Sequence, residues 1–371
     1  MNLSYWEYKT WLDKVDFTIV GSGIVGLNCA LHLRKKFLKA KILILERGLL
    51  PQGASTKNAG FACFGSMSEI LDDLKNHSEE EVFNLVEKRY KGLKLLRKTL
   101  GEKTIDYRNL GGYELFLNNQ KELFEECISE IDKVNALLKP IFKGHTFKVG
   151  SNEFGFKNIV NQYIFTPYEG NINTGKMMKN LLKLAVKENI LILNSTEVET
   201  FSESIDGVQI KAQNFEFKTK KMFIATNGFA AQFLNDNVKP ARAQVLITDP
   251  IENLHIKGNF HLDKGYYYFR NVGNRVLFGG GRNLDFTTEE TTEFGLTPVV
   301  QYQLESILKE IILPSQEVTI SQRWSGIMGV GNQKKAIVKQ LSNNVYCGVR
   351  LGGMGVAIGS FVGKELADLV D

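Results

Sequence analysis

Hydrophobic residues near the start of the chain fall into blocks of strand length separated by a block of helix length. Residues 16–20 and 41–45 are apolar runs of strand length. Between them, the small residues Gly26 and Ala30 stand where a helix would face those strands. The pattern predicts a strand–helix–strand unit with two buried, parallel strands.

Longer periodic segments follow this unit. Amphipathic helices are predicted at residues 78–99 and 120–138, with a strand at 112–117 between them. In the first helix, the apolar residues recur at helical spacing and predict a core face: Leu85, Val86, Leu93 and Leu96. Residues 240–283 are strand-like and aromatic, which predicts a second region rich in β-structure.

The α/β pattern returns in the second half of the chain. A helix capped by Asn173 precedes a predicted strand at 190–193, and further strands are predicted at 221–225 and 344–347. A last helix is predicted over 356–370. The fold class is therefore predicted as α/β, with a Rossmann-type sheet interrupted by two β-rich insertions.

The predicted organisation has two discontinuous domains. Segments 1–80, 168–235 and 320–371 are assigned to a dinucleotide-binding domain. Segments 81–167 and 236–319 are assigned to an inserted α+β domain dominated by an antiparallel sheet. The length of 371 residues suits this division.

A glycine fingerprint joins the first predicted strand to the first helix. Gly21 permits the tight turn, Gly23 lets the backbone approach a pyrophosphate, and Gly26 lets the helix pack closely. Glu46 ends the next strand, at the distance expected for an acid that binds the adenosine ribose. A carboxylate there would repel a 2′-phosphate, which argues against NADP. The phosphates would lie at the N-terminus of the helix.

Composition narrows the class of protein. Hydrophobic residues make up 43% and charged residues 23% of the chain, as in an ordinary globular protein. No apolar run is long enough to span a bilayer, and the N-terminus has no apolar segment typical of a secretory signal. Four widely spaced cysteines predict a reduced, cytoplasmic protein without a metal site. A net charge of +5 without a basic block argues against nucleic acid.

Eight motifs in a fixed order carry a resemblance to a known family. They are VGSGIVGLNCALHLR, ASTKNAG, EGNINTGKMMKNLLKLA, FIATNG, PARAQVLIT, GYYYFR with GGGR, WSGIM and RLGGMGVAIGSFVGKELADLV. Over nearly the whole chain they resemble the FAD-dependent D-amino acid oxidase, glycine oxidase and sarcosine oxidase family. The resemblance implies a glutathione-reductase-like FAD-binding domain with an inserted substrate domain, and FAD as cofactor.

The resemblance implies a long FAD groove built from distant segments, with Val198 at the adenine and Gly228 closing a strand over the dinucleotide. The ASTKNAG loop would run under the pyrophosphate. The candidate cofactor-binding residues are Gly21, Gly23, Ile24, Val25, Gly26, Glu46, Arg47, Ser55, Thr56, Lys57, Asn58, Val198, Thr226, Gly228, Trp324, Gly326, Arg350, Gly352, Gly353, Met354, Gly355 and Val356. The loop has no histidine and Cys347 falls in a predicted strand, so non-covalent FAD is expected.

Among the motifs, the loop from Gly352 to Val356 indicates most about the mechanism. Reduction of a flavin builds negative charge at N1 and the C2 carbonyl. The resemblance places this loop, with its bare N–H groups and a helix N-terminus, at that edge of the ring. Such donors would stabilise the reduced flavin.

Substrate residues are sought among side chains that can bind a carboxylate. Tyr266, Tyr268 and Arg270 project on one face of a predicted strand, and Tyr266 best matches the substrate tyrosine implied by the resemblance. Arg350 in the C-terminal segment is the fourth candidate, and Arg242 and Arg282 are alternatives. The histidines are interpreted as structural or exposed: His32, His77, His145, His255 and His261.

The favoured function is oxidation of the C–N bond of a small amine or amino acid by hydride transfer to flavin N5, after which the imine hydrolyses. Oxygen or another carrier would accept the electrons, and the oligomeric state is left open. One alternative is a flavin enzyme acting on a 2-hydroxy acid or polyol phosphate. A second is an FAD-binding protein without turnover. A plain NAD dehydrogenase is the alternative that agrees least with the sequence, because the C-terminal glycine-rich segment would have no role in such an enzyme.

Overall fold

The structure, a computed structural model, describes residues 3–234, 236–314 and 316–370. Its α-helices are α1 (Tyr5–Glu7), α2 (Ile24–Lys36), α3 (Ala54–Lys57), α4 (Met67–Asn76), α5 (Glu79–Leu100), α6 (Lys121–Phe142), α7 (Thr174–Lys187), α8 (Phe286–Glu289), α9 (Pro298–Ile307) and α10 (Gly355–Asp368). Its strands are β1 (Val15–Val20), β2 (Ile42–Leu45), β3 (Phe61–Ala62), β4 (Gly112–Leu117), β5 (Lys148–Ser151), β6 (Ile159–Thr166), β7 (Gly170–Asn171), β8 (Leu191–Leu193), β9 (Val198–Ser204), β10 (Gly207–Ala212), β11 (Phe215–Ile224), β12 (Lys239–Thr248), β13 (Asn259–Leu262), β14 (Tyr267–Val272), β15 (Arg275–Gly280), β16 (Ile320–Val330), β17 (Ile337–Gln340) and β18 (Val345–Val349).

The first sheet contains the predicted strand–helix–strand unit. Its order is β17-β18-β11-β1-β2-β8, and β9 and β10 extend from β11. β1 pairs in parallel with both β2 and β11, and β11 pairs in parallel with β18. Since the carboxyl ends of these parallel strands meet at one edge, that edge is where an open α/β sheet binds its ligand.

Helix α2 is buried between the first sheet and α10. A Cβ on Gly363 of α10 would lie 2.6 Å from the carbonyl oxygen of Val25. A Cβ on Gly92 of α5 would clash with the carbonyl oxygen of Ala357 in α10. These glycines let the three helices approach closely, and the N-termini of α2 and α10 are thereby brought to the same edge of the sheet.

The second sheet has the order β16-β12-β15-β14-β13-β4-β6-β5 and is antiparallel except where β4 pairs with β13. One of its faces is an aromatic core, in which the rings of Phe260 and Phe269 stack with centroids 4.6 Å apart. The other face carries Glu114, His261 and Tyr268, which are neighbours across β4, β13 and β14. Cross-strand neighbours share a face, so these polar side chains point away from the aromatic core.

The predicted fold class is confirmed, and the predicted strand at 112–117 has the observed bounds of β4. The predicted domain division differs from the structure in two places. β16 pairs with β12 from Ile320 to Val330, so it lies in the second sheet rather than in the dinucleotide-binding domain. Leu93 and Leu96 of α5 pack in the core around α2 and α10, although our division places them in the inserted domain. Periodicity identifies a strand or helix but not its partner, which only packing decides.

Within the described ranges, no helix has both the length and the apolar character needed to cross a membrane.

Candidate active site

One elongated cavity lies between the carboxyl edge of the first sheet and the polar face of the second sheet. Its volume is about 500 Å³, within the range usual for cofactor sites. Gly21, Gly23 and Glu46 line it on the side of the first sheet, and Tyr266 and Tyr268 on the side of the second. The loop before α10 lines the same cavity. The two glycine-rich segments, at opposite ends of the sequence, therefore belong to one site.

The fingerprint glycines have the geometry that close approach of a ligand requires. Gly21 has φ of 103°, and a Cβ there would lie 3.0 Å from the carbonyl oxygen of Ala225. A Cβ on Gly26 would clash with the carbonyl oxygen of Gly21. A Cβ on Gly23 would project to within 2.9 Å of the Ser55 hydroxyl oxygen. Gly23, Ile24 and Val25 line the cavity, so the start of α2 lies at its wall, as binding of phosphate at a helix N-terminus requires.

Glu46 follows β2 and is buried at the cavity wall. One carboxylate oxygen accepts from the Ser22 backbone N–H at 3.0 Å and from the Ser22 hydroxyl at 2.7 Å. The other oxygen accepts from the Gly48 N–H at 3.1 Å. A carboxylate has about four acceptor sites, so these three bonds orient Glu46 and leave capacity for a ligand hydroxyl.

A buried, unpartnered hydroxyl marks the wall beside Glu46. Thr226 lines the cavity, and its hydroxyl oxygen has no hydrogen-bond partner within the described ranges. Such an orphaned group is expected where a ligand supplies the partner. Arg47 and Phe229 line the same part of the cavity, with the guanidinium 3.8 Å from the ring centroid.

The loop carrying α3 packs against the start of α2. The Ser55 hydroxyl accepts from the Ile24 N–H at 2.9 Å. The Lys57 carbonyl accepts from the Trp324 indole N–H at 2.9 Å. Thr56 turns away from the cavity, because its hydroxyl donates to the Pro51 carbonyl at 2.7 Å. The loop is thus fixed between the first sheet and β16.

The C-terminal loop is built from residues in the left-handed region. Gly352 and Gly353 have φ of 58° and 80°, values at which glycine avoids the strain that a side chain would add. Helix α10 begins at Gly355, so the unpaired N–H groups of its first turn lie at the cavity. The Met354 sulfur lies 3.7 Å from the Cys63 sulfur, in the same wall.

Most of the predicted cofactor-binding residues line this cavity. They are Gly21, Gly23, Ile24, Val25, Glu46, Arg47, Ser55, Lys57, Asn58, Val198, Thr226, Gly326, Gly352, Gly353, Met354, Gly355 and Val356. Five predicted residues lie outside its wall: Gly26, Thr56, Gly228, Trp324 and Arg350. Gly26 and Gly228 permit close packing, since a Cβ on Gly228 would clash with the Met328 carbonyl.

On the side of the second sheet, the cavity wall is aromatic and charged. Tyr266 and Tyr268 line it together with Arg282, whose guanidinium lies 5.7 Å from the Tyr266 ring centroid. Burial raises the pKa of Tyr268 to about 12, although the nearby Arg282 opposes this. Tyr268 therefore presents a neutral O–H at physiological pH. Lys264 lines the same wall.

Comparison with known proteins identifies the class to which this site belongs. The model of the family described as FAD dependent oxidoreductase (DAO) matches residues 16–369. The chain belongs to this family. The predicted resemblance and the prediction of an oxidoreductase are confirmed by this match.

Individual relatives are distant in sequence but similar over their whole length. Probable oxidoreductase OrdL of Haemophilus influenzae is 20% identical over 387 residues, covering 97% of this chain and 84% of that protein. The crystal structure of glycine oxidase from Geobacillus kaustophilus superposes with a TM-score of 0.79 at 18% identity, covering 96% of this chain and 94% of that one. L-alpha-glycerophosphate oxidase from Mycoplasma pneumoniae, solved with FAD bound, has a TM-score of 0.74 at 17% identity, covering 97% and 95%.

The residues present fit the FAD of this DAO-family protein. The start of α2, which lines the cavity from Gly23, suits the pyrophosphate, and Glu46 suits the ribose. The unpartnered Thr226 hydroxyl points to a ligand in the same groove. The prediction of FAD is confirmed by the family match.

The sequence of this DAO-family protein predicts that Arg270 and Arg350 bind substrate. The structure places both side chains outside the cavity. The Arg270 guanidinium is buried and donates to the carbonyl oxygens of Ala59, Ile172 and Asn271. The Arg350 guanidinium donates to the Lys335 carbonyl and, at 3.1 Å, to the Asn237 carbonyl. Neither side chain lines the cavity. Both guanidinium groups donate to backbone carbonyls and so hold neighbouring segments together. The geometry therefore does not support a role for Arg270 or Arg350 in binding substrate.

The structure also places Arg242, an alternative substrate candidate, and His261. The Arg242 guanidinium is paired with Glu289 at 2.8 Å and does not line the cavity. His261, interpreted from sequence as structural or exposed, is buried and lines the cavity. Its Nε2 lies 2.9 Å from Glu169 Oε2. Burial lowers the pKa of His261, but the charge and hydrogen bond of Glu169, with Glu69 and Glu114, outweigh this and raise it to about 9.

Several cavity residues were not among our sequence candidates: Phe61, Cys63, Glu69, Asp72 and Met328. Phe61 packs edge-on against both His261 and Tyr268, at centroid distances of 5.4 and 5.6 Å. The position of Phe61 next to the ASTKNAG loop was an available signal. No sequence signal marks Glu69 as a cavity residue, because its position is that of an ordinary N3 capping residue of α4.

Proposed function

We propose that this protein oxidises the C–N bond of a small amine or amino acid, delivering hydride to N5 of FAD and releasing an imine that water hydrolyses. FAD, when bound, supplies the two-electron acceptor. The protein supplies the site that binds and orients the substrate. The observation that carries the proposal is the unpaired guanidinium of Arg282 in the cavity wall.

Arg282 differs from Lys264 and Lys334, which also line the cavity. Lys264 is paired with Asp72 at 3.0 Å, and Lys334 with Asp73 at 2.6 Å. The Arg282 guanidinium forms no hydrogen bond or ion pair with any residue in the described ranges, and it lies over the Tyr266 and Phe286 rings. An arginine fork without an anionic partner suits the carboxylate of an incoming substrate.

The two tyrosines complete this binding wall. Tyr266 and Tyr268 stand beside Arg282, and the raised pKa of Tyr268 keeps its hydroxyl a donor. A carboxylate held by Arg282 and a tyrosine hydroxyl would be fixed at one end. The α-carbon would then lie within the cavity. Holding the reacting carbon in this way supplies orientation rather than acid–base chemistry.

The name of the solved glycine oxidase supports C–N oxidation, whereas that of the glycerophosphate oxidase supports the alternative of a C–OH substrate. Anaerobic titration of the holoenzyme separates them. Bleaching of the flavin absorbance by glycine, sarcosine or D-alanine, but not by glycolate, lactate or glycerol 3-phosphate, is the expected result. Bleaching by the hydroxy compounds alone would establish the alternative. Bleaching by none would favour an FAD-binding protein without turnover.

The electron acceptor and the location complete the proposal. Hydrogen peroxide release in air would identify oxygen as acceptor, and its absence despite bleaching would identify another carrier. A cytoplasmic location is supported by four cysteines that are all free and buried. A role on nucleic acid is not proposed, because no basic block occurs in the sequence.

A further inference from the structure

Four carboxylates of α4, β4 and the residue before β7 are partnered. The partnered groups are Glu114 with Ser66 and Ser68, Glu169 with His261, Asp72 with Lys264, and Asp73 with Lys334. Each of these carboxylates is therefore neutralised by a cation or held by hydroxyl and N–H donors. A carboxylate that lacks such partners stands out against them.

Glu69 is that carboxylate. One of its oxygens accepts from the Ser66 backbone N–H at 3.0 Å, which caps α4. No lysine, arginine or histidine in the described ranges forms an ion pair with it, and its half-buried side chain lines the cavity. The second oxygen is thus available to a ligand.

Gly265 leaves the room that the Glu69 carboxylate occupies. Its φ is 78°, and a Cβ there would lie 2.9 Å from the Glu69 carboxyl carbon. The next residue is Tyr266, over whose ring Arg282 lies. A carboxylate and a guanidinium, neither in an ion pair, therefore flank the dipeptide of Gly265 and Tyr266.

An independent observation shows that this part of the cavity is built for a polar ligand. His261 is 5% exposed and lines the wall. Its Nε2 is engaged by Glu169, and its Nδ1 forms no hydrogen bond with a residue of the described ranges. Because its raised pKa of about 9 keeps the ring protonated at neutral pH, the Nδ1–H is a donor without a protein acceptor in those ranges, which suits an acceptor atom of a bound ligand.

We propose that Glu69 binds the ammonium group of the substrate, which loses a proton to water before hydride leaves the α-carbon, while Arg282 holds its carboxylate. This inference rests on the proposed function and sharpens it. A zwitterion satisfies both charges, whereas a hydroxy acid leaves Glu69 unpaired and a simple amine leaves Arg282 unpaired. The preference for a zwitterion then comes from two sources. One is the hydrogen bond formed with each charge, and the other is the free-energy cost of leaving Glu69 or Arg282 unpaired when another ligand binds.

Two unreactive acids of nearly equal shape test the assignment. 2-Aminoisobutyrate and trimethylacetate differ by an ammonium in place of a methyl group, and neither has an α-hydrogen to transfer. Binding to the holoenzyme is measured by calorimetry and by the shift of the flavin spectrum. The wild type is expected to bind 2-aminoisobutyrate about 10- to 100-fold more tightly, the effect of one charge-assisted bond.

The variants then assign the preference to a residue. Glu69→Gln is expected to abolish it, since the amide keeps an oxygen for the Ser66 N–H but loses the charge. Glu80→Gln, an exposed residue of α5 outside the cavity, makes the same charge change and should keep the preference. Arg282→Met should weaken both acids alike. FAD content and melting temperature confirm that each variant is folded.

The inference is overturned if the wild type shows no preference, or if Glu69→Gln keeps it. These failures differ from failure of the proposed function. If an amino acid bleaches the flavin and Glu69→Gln still prefers 2-aminoisobutyrate, only the role of Glu69 is disproved. Absence of bleaching by every amine sinks the function itself.

Discussion

His261 and Glu169, 92 residues apart in the sequence, form a buried pair at the wall of the cavity, with His261 Nε2 2.9 Å from Glu169 Oε2. Glu169 immediately precedes β7, which pairs with β3 next to Phe61. The pair therefore ties the second sheet to the small ribbon that carries part of the cavity wall. One further Glu169 oxygen is buried without a partner in the described ranges, so the histidine is its main compensation.

The stability of the protein should fall as the pH rises through about 9. Because the pKa of His261 is raised to about 9 in the folded protein, the charged pair stabilises fully below the unfolded value of about 6.5. That contribution, on the order of 3 kcal/mol, is lost above the folded pKa. Thermal unfolding of the wild type between pH 6 and 10 measures it.

The double variant His261→Gln/Glu169→Gln is the control for this titration. It removes both charges and keeps an amide pair of similar size, so the stability difference from wild type should shrink between pH 7 and 10. A difference that stays constant over this range would show that the pair does not titrate there.

Gly23→Ala should weaken FAD binding without unfolding the protein. The φ of Gly23 is −73°, which alanine adopts freely, but the added Cβ would lie 2.9 Å from the Ser55 hydroxyl oxygen at the cavity. Displacing Ser55 breaks its hydrogen bond with the Ile24 N–H and disturbs the start of α2, so we expect the dissociation constant of FAD to rise about tenfold or more. Quenching of FAD fluorescence by the apoprotein measures it. Unchanged affinity would contradict the phosphate site.

Arg270→Met should destabilise the protein by about 3 kcal/mol, because it leaves three carbonyl groups without their buried donor. The KM for substrate should be unchanged at temperatures where the variant is folded. Arg282→Met should show the opposite result, a raised KM at an unchanged melting temperature. A raised KM in Arg270→Met alone would return that residue to the substrate site.

Gly92→Ala should destabilise the packing of α5 on α10. Its Cβ would clash with the Ala357 carbonyl oxygen, and overpacking of this kind costs about 1–3 kcal/mol. Gly175→Ala in α7 is the matched control, since its Cβ would have only an ordinary contact at 3.4 Å with the Asn173 side chain. Urea unfolding of the two variants compares them. Equal stability would mean that the crossing is looser than the structure has it.

Denaturation should release all of the flavin. Cys63 lines the cavity, and burial raises the pKa of its thiol well above the usual value, with Glu169 and Glu69 adding to the effect. A protonated thiol is a poor nucleophile, so no bond to the flavin is expected. After acid precipitation the yellow colour should be found in the supernatant. Colour retained on the polypeptide would disprove non-covalent binding.

Sequence patterns were most informative where the chemistry is local. The residues from Gly21 to Glu46 lie within one strand–helix–strand unit, so spacing alone predicts their roles. The substrate wall is different, because Tyr266, Arg282 and Glu69 come from separate elements. Arg270 shows the limit of prediction from sequence. Alternation along the strand predicts the face of the sheet on which Arg270 lies, but it does not predict that the guanidinium donates to backbone carbonyls of other segments.

By itself, the sequence determined the α/β fold, the FAD fingerprint and the helix-opening glycines near the C-terminus, because each depends on backbone conformation and short-range spacing. Only the tertiary structure decided which charges are paired across the cavity and which are left for a ligand. Ion pairing depends on distances of a few ångströms between elements remote in the chain. Glu69 and Arg282 are singled out by the partners that their neighbours already have.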